Sequence, residues 1–186
     1  MFESPLRLNL RLRCNANTPV KKTLGVWPRG FPIVIQESRS RLPLSGANII
    51  SALKHHNRVS EIDLYITSRT LLKQLYKVIT KPYPVLTRLC LRISKSAPVF
   101  HYTFLGGSAP RLKDLDLWGI PFPAVPKFLP LCHDLVDVQL KNIPNAGYSS
   151  PEALATALSA LTKLKFVYIG FESPASRPDP TNRLEK

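Results

Sequence analysis

Aliphatic side chains return along this chain at a fixed spacing. Val59, Ile62 and Leu64 are followed by Leu86, Leu89 and Leu91, by Leu112, Leu115 and Leu117, by Leu135, Val138 and Leu140, and by Leu164, Val167 and Ile169. Each triad takes positions one, four and six of a short stretch, and successive stretches begin 23 to 29 residues apart. The residues between the last two aliphatic positions and just after them point the other way, so each stretch predicts a strand with one buried face. Between triads the spacing becomes helical. Ile49, Ile50 and Leu53 precede the first triad, Leu71, Leu72, Leu75, Val78 and Ile79 follow it, and Leu154, Leu158 and Leu161 repeat the stripe. Ser68 and Ser150 stand where N-caps belong, and Ser150 is followed by a first-turn proline, Pro151. Strand then helix, repeated, predicts parallel strands joined by right-handed crossovers.

Weaker copies precede these. Residues 6–13 alternate strictly, which predicts a strand with Leu6, Leu8, Leu10 and Leu12 inward and Arg7, Arg11 and Arg13 on the other face. Residues 19–27 predict a short helix opened by Pro19, with Val20, Leu24 and Trp27 on one side, and residues 32–36 predict a short apolar strand. Residues 122–131 carry Pro123, Pro126 and Pro130, too many for a full helix, and predict one turn or a 3₁₀ piece. Seven units result. The L-x-x-L-x-L core at this period is that of a leucine-rich repeat. The expected fold is an α/β leucine-rich-repeat solenoid, a curved parallel sheet inside with helices and irregular segments outside. Residues 1–171 form the arc, degenerate over 1–58 and clearer over 59–171, and the proline-containing stretch 172–186 is expected to be a disordered tail.

Such a sheet presents its non-aliphatic side chains on the open, concave face. Five rows are expected there: Glu61, Asp63 and Tyr65; Arg88, Cys90 and Arg92; Asp114, Asp116 and Trp118; Asp137, Gln139 and Lys141; Phe166, Tyr168 and Gly170. Acidic Glu61 and Asp63 would flank Arg88 and Arg92, which would flank Asp114 and Asp116, a ladder of alternating charge. Tyr65, Trp118 and Tyr168 are candidate aromatic anchors, and Arg88, Arg92, Asp114, Asp116, Gln139, Lys141 and Phe166 the further candidate contacts for a protein target. The last strand is an apolar edge bearing one lysine. It is expected to pack on a further repeat, another chain or residues 172–186.

Charge adds a second candidate. Twenty-six basic against twelve acidic residues give a net +14. Residues 1–60 hold ten basic and two acidic residues, 61–110 seven and two, and 111–186 nine and eight. The excess is N-terminal, which makes a nucleic acid or another polyanion the alternative partner of the basic first third. Cys14, Cys90 and Cys132 are odd in number and far apart, which fits a reducing compartment, cytoplasmic or nuclear. No signal peptide, membrane-spanning run, phosphate-cradling glycine loop or zinc-protease motif is present, and Cys132-His133 lacks partners at ligand spacing. No catalytic residue, cofactor, metal or membrane partner is expected.

The loops carry a further likeness. Residues 104–112 (Phe-Leu-Gly-Gly-Ser-Ala-Pro-Arg-Leu), 117–123 (Leu-Trp-Gly-Ile-Pro-Phe-Pro), Asp134-Leu-Val136, Ile143-Pro144, Gly147-Tyr148, residues 150–153 and 158–161, Thr18-Pro-Val20, Trp27-Pro28 and Pro32-Ile-Val-Ile35 resemble a fungal family of F-box-associated leucine-rich-repeat proteins. The likeness spans roughly residues 5–180. It implies a receptor whose F-box docks on the adaptor of a cullin ubiquitin ligase while the repeats hold the target. The adaptor contact is expected only where an F-box lies upstream of Met1.

Overall fold

The computed structural model describes residues 9–14, 19–28, 30–36, 45–94 and 97–172. Leu6, Arg7 and Leu8 of the expected first strand, and residues 173–186 of the expected tail, lie outside the described residues. Among the described residues seven strands, β1 (Leu10–Arg13), β2 (Ile33–Gln36), β3 (Val59–Ile66), β4 (Arg88–Ile93), β5 (Asp114–Trp118), β6 (Asp137–Ile143) and β7 (Phe166–Phe171), form one sheet in chain order. Every pairing is parallel. The arrangement is compatible with an α/β solenoid.

The triads explain the register. Ile62, Leu89, Leu115, Val138 and Val167 lie side by side across β3–β7, and so do Leu64, Leu91, Leu117, Leu140 and Ile169. A one-residue slip would turn every aliphatic side chain out of the core, so the spacing sets the pairing. Five described helices lie in the crossovers: α1 (Val20–Val26), α2 (Gly46–Leu53), α3 (Arg69–Val78), α4 (Val125–Phe128) and α5 (Pro151–Ser159). Their buried residues share one hydrophobic cluster with the triads, which places the helices on one face of the sheet and leaves the other without them. Ser68 and Ser150 cap α3 and α5 by accepting from Leu71 N–H at 3.4 Å and Ala153 N–H at 3.2 Å. Ser45 does the same for α2.

The proline-rich crossover is short, as its composition predicts. α4 is four residues long and runs into a 3₁₀ turn over Leu129–Leu131. Aromatic packing replaces the missing helix: Phe104 lies 4.8 Å from Phe100, 5.1 Å from Phe122 and 5.5 Å from Phe128, centroid to centroid. Gly119 ends β5 at φ +70°, with its N–H donating to Lys141 C=O at 2.9 Å. A Cβ there would stand 2.6 Å from Ile93 O, so only glycine fits between β4 and β6.

The two ends of the sheet differ. At β7 the core-facing Val167 is 39% exposed, and Phe166, Tyr168 and Phe171 are exposed too. The apolar edge read from the sequence therefore stays uncovered among the described residues.

Candidate functional site

On the helix-free face the backbone register builds three lateral rows. The first runs Arg11, Val34, Glu61, Arg88, Asp114, Asp137, Phe166. The second runs Arg13, Gln36, Asp63, Cys90, Asp116, Gln139, Tyr168. The third runs Tyr65, Arg92, Trp118, Lys141. Neighbours in a row are about 4.8 Å apart along the hydrogen-bonding direction, so long side chains reach one another.

Every expected contact residue lies on this face, but the third row stops short. Gly170 does not continue it beside Lys141, because the β6–β7 register shifts between Leu140 and Ile143. Asn142 sits inside that bulge at φ +51°, a conformation asparagine tolerates better than most residues.

The expected ladder of alternating charge forms only at its centre. Arg92 Nη2 lies 3.5 Å from Asp116 Oδ2, and Lys141 Nζ lies 3.7 Å from Asp116 Oδ1. Lys141 also donates to Gln139 Oε1, and Gln139 Nε2 donates to Asp137 Oδ1 at 2.8 Å. Asp116 is thus the hub of a small network spanning β4, β5 and β6. Its Oδ1 is buried and accepts no hydrogen bond, so the Lys141 ammonium is what answers its charge. Arg88, Glu61 and Asp114 sit adjacent in register yet form no ion pair with a described residue. Asp114 stands beside Asp137, a like-charge neighbour that disfavours the sheet slightly. Ion pairs as solvated as Arg92–Asp116 contribute about 0–1 kcal/mol each, so the network orients side chains more than it holds the fold.

Cys90 lies beneath this network, 2% exposed, and its thiol donates to Asp116 Oδ2 at 3.7 Å. Burial pushes the thiol up to about 12, and the carboxylates of Asp63 and Asp116 add to the push. A thiol that stays protonated at neutral pH serves as a donor and packing group, not as a nucleophile.

The aromatic candidates are the accessible part. Tyr65 is 42%, Trp118 45%, Phe166 48% and Tyr168 50% exposed. Trp118 shares the third row with Tyr65, with Arg92 between them, and Phe166 and Tyr168 lie at the β7 end of the first two rows. Four half-exposed rings beside a charged network can seat apolar side chains of a partner and orient them by charge. Among the described residues no group of three or more His, Cys, Asp or Glu side chains converges as a metal site would require. No described helix is long and apolar enough to cross a membrane.

Two features of the face escape sequence reading. Val34 is fully buried although it points away from the helices. The run Ile33-Val34-Ile35 carries the signal, since consecutive apolar residues mark a strand covered on both faces. The convergence of Arg92 and Lys141 on Asp116 has no sequence signal, because all three rows look equally charged until side-chain reach selects the pairs.

No protein-family model, curated protein or solved structure matches the chain.

Proposed function

We propose that the chain is a leucine-rich-repeat arc that binds a protein target, without catalysis, on its helix-free, concave face. The observation that supports this most is the placement of Tyr65, Trp118, Phe166 and Tyr168, each about half exposed, on the one broad face that no described helix covers. Aromatic anchors of this kind carry most of the binding energy where they occur at interfaces, and a partly buried charge network beside them sets orientation and register. Tyr65, Trp118, Phe166 and Tyr168 are the anchors in this reading. Arg88, Arg92, Asp114, Asp116, Gln139 and Lys141 are the polar contacts. Three unpaired, buried thiols fit a reducing compartment, cytoplasmic or nuclear. The likeness of the loops to F-box-associated receptors extends the reading to target recognition for a cullin ubiquitin ligase, and an open reading frame encoding an F-box 5′ of Met1 tests that extension.

Site-specific photocrosslinking tests the face itself. A crosslinking amino acid at position 88 should trap a discrete protein partner, one at position 77 on α3 should not, and Trp118→Ala with Tyr168→Ala should abolish capture from position 88 while circular dichroism stays unchanged. Equal capture from both positions, or capture that survives the double substitution, refutes the assignment.

A further inference from the structure

Among the described residues, the helix side of the N-terminal half carries cations and no acids. Lys21 and Lys22 on α1, Lys54 at the end of α2, and Arg69, Lys73 and Lys77 on α3 are all exposed, and Lys81 follows just beyond α3. Among the described residues up to Lys113 the only carboxylates are Glu61 and Asp63, and both lie on the opposite, helix-free face. No ion pair to a described residue engages any of these cations.

A solvated helix face is the ordinary explanation of surface lysines, but this pattern works against the helices that carry it. Arg69, Lys73 and Lys77 recur every four residues on one side of α3, where like charges repel by about 0.2–0.5 kcal/mol per pair. Lys21 and Lys22 stand in the first turn of α1 and Arg69 in the first turn of α3, where the helix dipole favours anions, and neither turn holds an acid. The C-terminal half does otherwise: Glu152 opens α5, and Lys163 pairs with Asp134. An external polyanion would reverse both penalties at once.

Between α1 and α2 runs a groove of about 640 Å³, lined by Lys21, Ser51, Lys54, Asn57 and Arg58 among others. The Arg58 guanidinium already donates to the carbonyls of Pro28 at 3.0 Å and Phe31 at 3.1 Å, so it braces the turn and adds its field, while the lysines form no ion pair with a described residue. Three neighbouring helices at 8–10 Å spacing span about 20 Å. That matches roughly six phosphates of one strand at ~3.4 Å per step.

We infer that the α1–α3 side is a docking surface for the phosphate backbone of a nucleic-acid duplex. A duplex is favoured over a single strand because α1–α3 present no exposed aromatic ring on which bases could stack. It is favoured over an anionic bilayer because Val26 is the only large apolar side chain these helices expose, too little to seat them in lipid. This surface lies across the sheet from the aromatic face, and the two assignments stand or fall separately.

Fluorescence anisotropy with a labelled DNA duplex of about 20 base pairs tests it, at about 50 and 200 mM salt. Four to six phosphate contacts predict a roughly 10²- to 10³-fold loss of affinity across that range. Lys73→Glu with Lys77→Glu should weaken binding by more than about ten-fold and reduce the magnitude of the salt slope by about two. Lys127→Glu with Lys165→Glu, the same charge change in the C-terminal half, should alter affinity less than about two-fold. Glutamate is a good helix former, and circular dichroism verifies that both variants fold. Absence of duplex binding at low salt, a flat salt dependence, or equal losses in the two double variants overturns the inference. So does tighter binding of the matching single strand, or binding of phosphatidylserine vesicles alone.

Discussion

Replacing Leu115 by alanine probes the claim that the aliphatic triads share one core. Leu115 is 1% exposed and sits between Leu89 and Val138, both fully buried, in the middle of the sheet. Neighbouring rungs pin the site on both sides, so the space left cannot collapse. A buried Leu→Ala change then costs about 3 kcal/mol within the ~2–5 kcal/mol range for such sites. Val167 occupies the equivalent position on β7 but is 39% exposed. Val→Ala there removes two methyl carbons worth ~0.8 kcal/mol each, only partly withdrawn from water and with no closed cavity, for about 1 kcal/mol. The expected ratio of the two losses is therefore near three. Urea unfolding followed by far-UV circular dichroism measures both, with the slope m unchanged if the denatured state is unaffected. A Leu115→Ala loss below about 1 kcal/mol would refute the shared core, and a Val167→Ala loss as large as that of Leu115 would refute the uncovered β7 edge.

Gly119→Ala should cost about 2–3 kcal/mol, combining the positive φ with a Cβ pressed on the Ile93 carbonyl, and the same urea titration reads it; a loss under about 0.5 kcal/mol would mean that the β4–β5–β6 junction yields easily. Burial pushes the Cys14 and Cys132 thiols up to about 12, against an unfolded value near 8.5. Their raised folded values mean that this contribution to stability is complete below about pH 8.5 and falls as pH rises toward 12. The urea midpoint should drop between pH 7 and pH 10, less so in a variant with both cysteines replaced by alanine; equal drops would contradict the assignment.

The strands were legible because their signal is both local and repeated. Each triad shows the same spacing, and stacking rewards the same spacing in its neighbour, so the sequence alone aligns Ile62, Leu89, Leu115, Val138 and Val167. Ser68, Ser150 and the three prolines of residues 122–131 marked their turns for similarly local reasons. What the sequence hid depends on reach across strands. Asp116 and Asp114 look alike in one stretch, yet only Asp116 meets both Arg92 and Lys141. Asn142 breaks the third row through a single backbone torsion, which polar spacing does not reveal. Basic residues of the first half read as a simple excess, and only the helix placement shows that its described acids, Glu61 and Asp63, share the helix-free face with Arg11, Arg13 and Arg88 while the helix side holds cations alone.

The seven strands are added one after another, each resting on the strands beside it. Thermal opening of such a stack begins where a strand has one neighbour and spreads inward, so backbone amides of β1 and β7 should exchange with solvent sooner than those of β4 and β5. The Asp116 network sits at the slow end of that gradient and would keep its geometry while the ends fray. Phe166 and Tyr168 sit at the fast end, free to adjust to whatever approaches them.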